Sequence, residues 1–336
     1  MRVTVRGAGV AGLACAVELA ERGATVEVLE QAAALAGAGC SWFAGGMLAP
    51  WCELESGGPL IARLGEEGIA WWRRLFPATA QRGTLVIAHG RDAAELVQFA
   101  RRTERYRTIG AEALAALEPD LAGRFGTALH FEDEAHLDPR AALGALLVRA
   151  RELGVSMRFA VDAAAVAPAG RELLDCTGLA ARRALTELRG VRGEMLLVRA
   201  PDVSLTRPVR VLHPRIPVYV VPRADHVYMI GATVIESDGG QRISARSLLE
   251  LLSAAYALHP GFGEAEILET GVGLRPAFPD NLPRLRRVGA ALYVNGLYRH
   301  GFLLAPALAA RAARALLEGQ HFPEVMDEDP RQRRLA

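Results

Sequence analysis

The chain has 336 residues, with 39 basic against 38 acidic side chains and a formal charge of +1, a balance that gives no electrostatic footprint for nucleic acid or a charged membrane surface. All 39 basic residues are arginine, so a lysine Schiff base, a P-loop lysine and a lysine-assisted flavin site are excluded. At 51% hydrophobic residues, a chain of this length buries a large core and is expected to divide into two domains.

No stretch approaches the roughly twenty apolar residues of a membrane span, and the chain opens on a strand instead of a basic and apolar leader. The expectation is a cytoplasmic protein without membrane or nucleic-acid partners. Cys15, Cys40, Cys52 and Cys176 form no C-x-x-C pair and read as reduced thiols. The eight histidines lack metal-ligand spacing, so no metal is expected.

The first segment reads as strand, turn, helix and strand. Val3 and Val5 alternate, a helix is expected from about Ala11 to Arg22, Gly23 stops it, and TVEVLE returns as the parallel neighbour. Gly7 permits a tight turn, Gly9 leaves the backbone open to a pyrophosphate, and Gly12 lets helix and sheet approach closely. Amides at Val10 and Ala11 open the helix toward the phosphates, and Glu30 stands where a carboxylate accepts from ribose hydroxyls. This context specifies FAD or NAD.

Residues 51–130 read as helix-rich, with Trp71, Trp72, Leu75 and Phe76 spaced for a core face. A helix is expected from Pro139 to Leu153, then SMRFAV, then a strand entering a glycine turn at Thr177 and Gly178. EMLLVRA, VYVVPR and HVYMIGAT are short strands separated by turn residues and suggest an antiparallel sheet. The segment from Ala291 reads as strand, glycine loop and long helix closing at Gly319, with Pro306 tolerated in the first turn. Residues 1–50, 131–188 and 276–336 are therefore assigned to a discontinuous nucleotide-binding domain, and 51–130 and 189–275 to a substrate-binding domain.

Four separated segments carry a resemblance. GAGVAG with Glu30, CSWFAGGMLAPWCE at 40–53, VYVVPR with IGAT at 218–233, and GVGLRP with NGLYRHGFLLAP near the C-terminus resemble the D-amino-acid oxidase family of flavoproteins, within it the glycine oxidase branch associated with thiamine synthesis. The resemblance implies an α/β protein: a Rossmann-like FAD-binding domain of the glutathione-reductase type and a substrate domain with an antiparallel sheet. It also implies non-covalent FAD, because related sarcosine oxidases attach flavin through a cysteine near the C-terminal part of the chain and the last cysteine here is Cys176.

The activity implied is oxidative deamination of glycine or small N-substituted glycines by hydride transfer to flavin N5, giving an imine, then glyoxylate, and hydrogen peroxide. Its partners are a small amine substrate and oxygen, and a homo-oligomer is left open. The alternatives are a D-amino-acid or other secondary-amine oxidase or dehydrogenase of the same family, or a flavin-binding partner protein without oxidase turnover.

In this resemblance Arg275 takes the substrate carboxylate, for which a guanidinium fork is suited. Tyr219 bonds the same carboxylate, Met47 and Arg299 lie near the substrate, and Val234 lines the pocket. Tyr228, on the next strand, is read as structural. Cys40 and Ser41 are assigned to cofactor binding, and the segment with Ala44, Gly45, Gly46 and Met47 is placed along the flavin ring, since bare backbone lets amides reach a planar edge. Ala49 and Trp51 are placed toward the entrance, while Trp42 and Phe43 stand where the branch has smaller residues. Tyr298, Arg299 and His300 lead into a helix whose first amides, at Gly301, Phe302 and Leu303, face negative charge on the reduced ring. Gly7, Gly9, Val10, Ala11, Gly12, Glu30, Gln31, Val161, Thr177 and Gly178 are assigned to cofactor binding, with Thr177 and Gly178 beneath the pyrophosphate, Glu30 at the ribose and Val161 at the adenine through its backbone. No general base is assigned, because an amine that arrives neutral drives hydride departure with its own lone pair.

Overall fold

The computed structural model describes residues 1–37, 39–162, 171–240 and 242–327. Its first half contains β1 (Arg2–Arg6), α1 (Val10–Glu21), β2 (Thr25–Leu29), β3 (Met47–Leu48), α2 (Pro50–Leu75), β4 (Thr84–Ala88), α3 (Ala93–Arg101), β5 (Arg107–Gly110), α4 (Ala111–Leu117), β6 (Thr127–Phe131), β7 (Ala135–His136), α5 (Pro139–Glu152) and β8 (Ser156–Arg158). There follow β9 (Glu172–Asp175), β10 (Arg189–Arg199), β11 (Val209–Leu212), β12 (Val218–Pro222), β13 (Val227–Gly231), α6 (Ala245–Leu258), β14 (Glu266–Ala277), β15 (Arg284–Val288), β16 (Ala291–Asn295), α7 (Gly301–Leu317) and β17 (Met326–Asp327).

Two large sheets organise these elements. The first has the order β17-β15-β16-β9-β1-β2-β8, with β1 parallel to both β2 and β9. A parallel neighbour demands a crossover, and α1 supplies it after Gly7 turns the chain. The second has the order β14-β10-β13-β12-β11-β4-β6-β5 and is antiparallel except where β11 runs parallel to β4. Residues 84–131 therefore contribute three strands to this sheet, where the sequence pattern indicated mainly helix. Leu85, Val86 and Ile87 are all buried, so β4 lacks the alternation that marks a half-exposed strand.

Helix α2 joins the two sheets. It bends at Gly58, whose φ is +68°, and past the bend it buries Ile61, Leu64, Trp71 and Trp72 in the apolar core shared with α1 and α7. The division of the sequence grouped this helix with residues 51–130, but its inner face packs on the first sheet's helices. Gly68 permits that contact, because a Cβ there would stand 2.0 Å from the Leu303 carbonyl oxygen.

Pro306 lies six residues into α7, in its second turn and not its first. A proline there cannot donate to the Phe302 carbonyl. Trp72 of α2 fills the vacancy: its indole N–H donates to that oxygen at 2.7 Å, and its ring stacks on Phe302. The start of α7 is thus pinned from outside, which fixes where its first amides point.

Candidate active site

A cleft of about 940 Å³ runs along the ends of β1, β9 and β16. Gly7 has a φ of +93°, and a Cβ on it would approach the Cys176 carbonyl oxygen to 2.8 Å. Gly7, Gly9, Val10, Ala11, Glu30 and Gln31 line one side of the cleft, with Thr177 and Gly178 opposite. Gly12 does not line it, and a Cβ there would stand 1.8 Å from the Gly7 carbonyl oxygen, so this glycine shapes the turn from behind. Glu30 is buried, accepting the Ala8 amide on Oε2 at 2.6 Å and the Ala32 amide on Oε1 at 2.8 Å.

The opposite turn, at Thr177 and Gly178, is braced by two residues that the sequence did not single out, Asp175 and Asn295. Asp175 Oδ1 accepts the Thr177 hydroxyl at 2.6 Å and its amide at 3.0 Å, while Asn295 Nδ2 donates to the Gly178 carbonyl at 2.9 Å. Val161, expected at the adenine, donates its amide to the Glu30 carbonyl at 3.0 Å, and it is Asp162 that lines the cleft. The donor set fits a dinucleotide: open glycine backbone and helix amides for a pyrophosphate, and a buried carboxylate with lone pairs left over for ribose hydroxyls.

A smaller cavity of about 100 Å³ adjoins this cleft, and Val10, Cys40, Ser41, Phe43, Tyr298 and Gly301 line both. One of its walls is Ala44, Gly45, Gly46, Met47 and Ala49, a second contains Tyr219 and Arg275 from the other sheet, and a third runs from Tyr298 through Arg299, His300, Gly301 and Phe302 to Leu303. The structure therefore brings the site residues of both sheets to one place. Val234 is not among them: it is 49% exposed, and Ala232 lines the cavity in its stead. Trp51 does not line the cavity and has the Arg105 guanidinium 4.3 Å over its ring, and Trp42 is covered by Arg140, whose fork holds Glu269 at 2.7 and 2.9 Å. Tyr228 is structural, its hydroxyl donating to the Val203 carbonyl at 2.5 Å.

Small residues set the cavity's shape. A Cβ on Gly193 of β10 would lie 2.1 Å from Nη2 of Arg275, so the bare backbone of β10 is what lets this guanidinium cross toward the cavity. Arg275 Nη1 donates to the Thr233 carbonyl at 3.0 Å, and among the described residues Arg275 has no carboxylate partner. Gly45 faces the Tyr219 ring, where a Cβ would meet Cε2 at 2.8 Å. The loop carrying Gly45 is held by Arg223, which donates to the Gly45 carbonyl at 2.7 Å and the Leu137 carbonyl at 2.6 Å. Burial pushes this guanidinium down to about 10, still charged at neutral pH.

Glu53, in the first turn of α2, is a lining residue that sequence reasoning missed. Its Oε1 accepts from Arg299 Nη2 at 2.8 Å and lies 3.3 Å from Arg210 Nη1, while Oε2 is 3.6 Å from His300 Nδ1. Burial opposes its ionisation, but Arg299, His300 and Arg210 outweigh that and hold its carboxyl well below the usual range. Burial, reinforced by the surrounding arginines, pushes His300 down to about 4, so its imidazole is neutral at pH 7. The available signal was an acidic residue just inside a helix start.

The helix that carries Glu53 is itself capped from a distance. Glu134 Oε1 accepts the Trp51 and Cys52 amides at 3.0 and 2.7 Å, and its Oε2 is buried without a hydrogen-bond partner among the described residues. Burial pushes Glu134 up to about 7. A carboxyl raised in the folded state contributes stability that is complete below its unfolded value near 4.5 and is lost as pH rises through about 7. The loss is on the order of 3 kcal/mol. Glu134→Gln should therefore gain in Tm relative to the unsubstituted protein between pH 5.5 and pH 8. Parallel Tm profiles across that range would overturn this assignment.

The cleft and cavity fit a dinucleotide-dependent oxidoreductase, and the chain belongs to the D-amino-acid oxidase family of FAD dependent oxidoreductases, whose pattern matches residues 2–315. It is 54% identical over 325 residues to a putative thiamine biosynthesis oxidoreductase, ThiO, of Rhizobium etli, covering 96% of this chain and 99% of that one. It is 28% identical over 352 residues to glycine oxidase of Geobacillus kaustophilus, covering 90% and 89%. The fold matches the crystal structure of glycine oxidase from Geobacillus kaustophilus with a TM-score of 0.82 at 24% identity, over 97% and 98% of the two chains. It also matches iminodiacetate oxidase from Chelativorans sp. BNC1 with a TM-score of 0.77 at 24% identity, over 95% and 96%. Among the described residues no helix is long and apolar enough to cross a membrane.

Proposed function

We propose that this FAD-dependent oxidoreductase deaminates glycine or small N-substituted glycines oxidatively, with oxygen as electron acceptor and hydrogen peroxide as by-product, in the manner expected of a thiamine-pathway oxidase. The observation that carries the reading is the meeting of Arg275, Tyr219, Met47 and Arg299 around one cavity of about 100 Å³ beside the nucleotide cleft. The similarity to ThiO along nearly the whole of both chains supports it.

Arg275 is the group that captures the carboxylate. Its charge is not consumed by any carboxylate among the described residues, and its half-buried fork is held over Gly193 of β10 with Nη1 on the Thr233 carbonyl, which makes it directional. The Tyr219 hydroxyl, which has no hydrogen bond among the described residues, is available to the same carboxylate. Met47, Met195 and the Tyr219 ring are the apolar walls that keep water from the reacting carbon. The amides of Gly301, Phe302 and Leu303, at the positive end of α7, stabilise negative charge that develops beside them. Bound FAD supplies the two-electron acceptor for the hydride leaving the carbon next to nitrogen. Water then hydrolyses the substrate imine to glyoxylate, and no residue of this chain is assigned as a general base. The four free cysteines accord with a cytoplasmic enzyme.

A cavity this small selects against side-chain bulk. One methylene costs only about 1–3 kcal/mol in an apolar pocket, so D-alanine should be a slow substrate. Steady-state kcat/KM under air, read as peroxide release, should rank glycine and sarcosine above D-alanine and D-alanine above D-phenylalanine. Preference for D-phenylalanine would overturn the glycine reading and leave the family membership intact.

A further inference from the structure

We propose that Glu53 sets the charge specificity of the substrate cavity: by neutralising Arg299 it restricts the cavity to substrates with a single acid group, and its removal admits a second acid group on the amine substituent. This rests on the proposed amino-acid oxidase reading and deepens it, naming which N-substituted glycines are accepted.

Three lining groups decide the cavity's charge. Arg275 and Arg299 are guanidinium ions, and Glu53 is the carboxylate between Arg299 and the helix it belongs to. The two arginines differ in one respect. Arg275 is bonded to a neutral carbonyl and keeps its full charge for a ligand, whereas Arg299 spends its charge on Glu53 at 2.8 Å. His300 is neutral and adds nothing at pH 7. The formal sum over these lining groups is two cations less one anion, or +1, which one carboxylate satisfies.

The pairing is also well braced. Arg210 sits between Glu53 and Glu55 at 3.3 Å to each, and Glu55 in turn meets Arg102 at 3.0 Å. Glu53 is thus held by two arginines, with only 14% of its side chain exposed, and cannot swing away cheaply to release Arg299. A ligand carrying two carboxylates would place its second anion against Glu53 in a site with little water to screen the repulsion. An uncharged N-alkyl group of the same size meets no such opposition.

The test compares ligands of one and two charges on the FAD-loaded enzyme. Kd values for acetate and malonate, neither of them an amine, are read from the perturbation of the flavin absorbance spectrum, and kcat/KM is measured for N-ethylglycine and for N-carboxymethylglycine. The unsubstituted enzyme should bind acetate more tightly than malonate and favour N-ethylglycine. Glu53→Gln keeps the size and an acceptor for Arg299 while removing the charge, and it should shift both ratios toward the dianion by about tenfold or more, the scale of losing one close charged contact. Malonate binding as tightly as acetate in the unsubstituted enzyme would overturn the proposal even if the variant did not fold. So would a variant in which mono- and dianion affinities change in step, the signature of a merely structural role. The Kd values report on Glu53 whether or not glycine proves to be a substrate, so the two readings fail separately.

Discussion

Arg275→Lys should leave the protein yellow and fully loaded with FAD while lowering kcat/KM for glycine by about a hundredfold, a loss of roughly 3 kcal/mol at the transition state. Lysine preserves the charge. It does not preserve the fork, and an ammonium places one point charge where two parallel N–H bonds are needed. The structure adds a second reason: the guanidinium lies over Gly193, so close that a single Cβ there would stand 2.1 Å from Nη2, and a shorter, rounder head group has no equivalent seat. Flavin content and kcat/KM measured on the same preparation distinguish a substrate role from a cofactor role. Loss of FAD with unaffected turnover in the remaining holoenzyme would show that Arg275 belongs to the cofactor.

Gly12→Ala should strip most of the flavin from the protein and lower its Tm. In an ordinary helix interior the change is favourable by about 1 kcal/mol, because alanine has less backbone entropy to lose. Here the added Cβ would stand 1.8 Å from the Gly7 carbonyl oxygen and 2.9 Å from its carbon, both backbone atoms of the turn. The turn must move, at a cost of about 1–3 kcal/mol or more, and it must move at the point where the cleft is shaped. The ratio of flavin to protein absorbance in the purified variant, together with its melting curve, measures both consequences. A variant with stoichiometric FAD and an unchanged Tm would refute the close contact.

Much of the fold was readable from local pattern. The strand, glycine turn, helix and returning strand at the N-terminus are short-range features, and α1 at Val10–Glu21 and α5 at Pro139–Glu152 lie within a residue or so of where periodicity and caps placed them. The strands β10, β12 and β13 likewise declared themselves by composition. Residues 84–131 did not: β4 and β6 are buried inside the sheet and lose their alternation, so their short apolar runs read equally as helix, and β5 is a four-residue edge strand with a single buried residue, too short to show a period. Pro306 was placed by the ordinary preference of proline for a helix start, and the structure accommodates it by a different device, the indole of Trp72.

The sequence by itself pointed to a dinucleotide, FAD or NAD, through glycines at a turn whose geometry admits few other residues, and its resemblance carried Arg275 as the candidate carboxylate receptor. What only the tertiary structure decided is which charges meet. Arg299 and Glu53 are 246 positions apart, Trp51 and Glu134 83, and Gly45 and Arg223 178. Periodicity reports which face of an element is buried, and it is silent on which faces are brought opposite one another. Ion pairs and long-range caps depend on that second fact, because their strength falls with distance and rises with exclusion of water. Val234 shows the same limit from the other side: its neighbours in sequence enter the site, yet the course of the chain after β13 turns it to solvent.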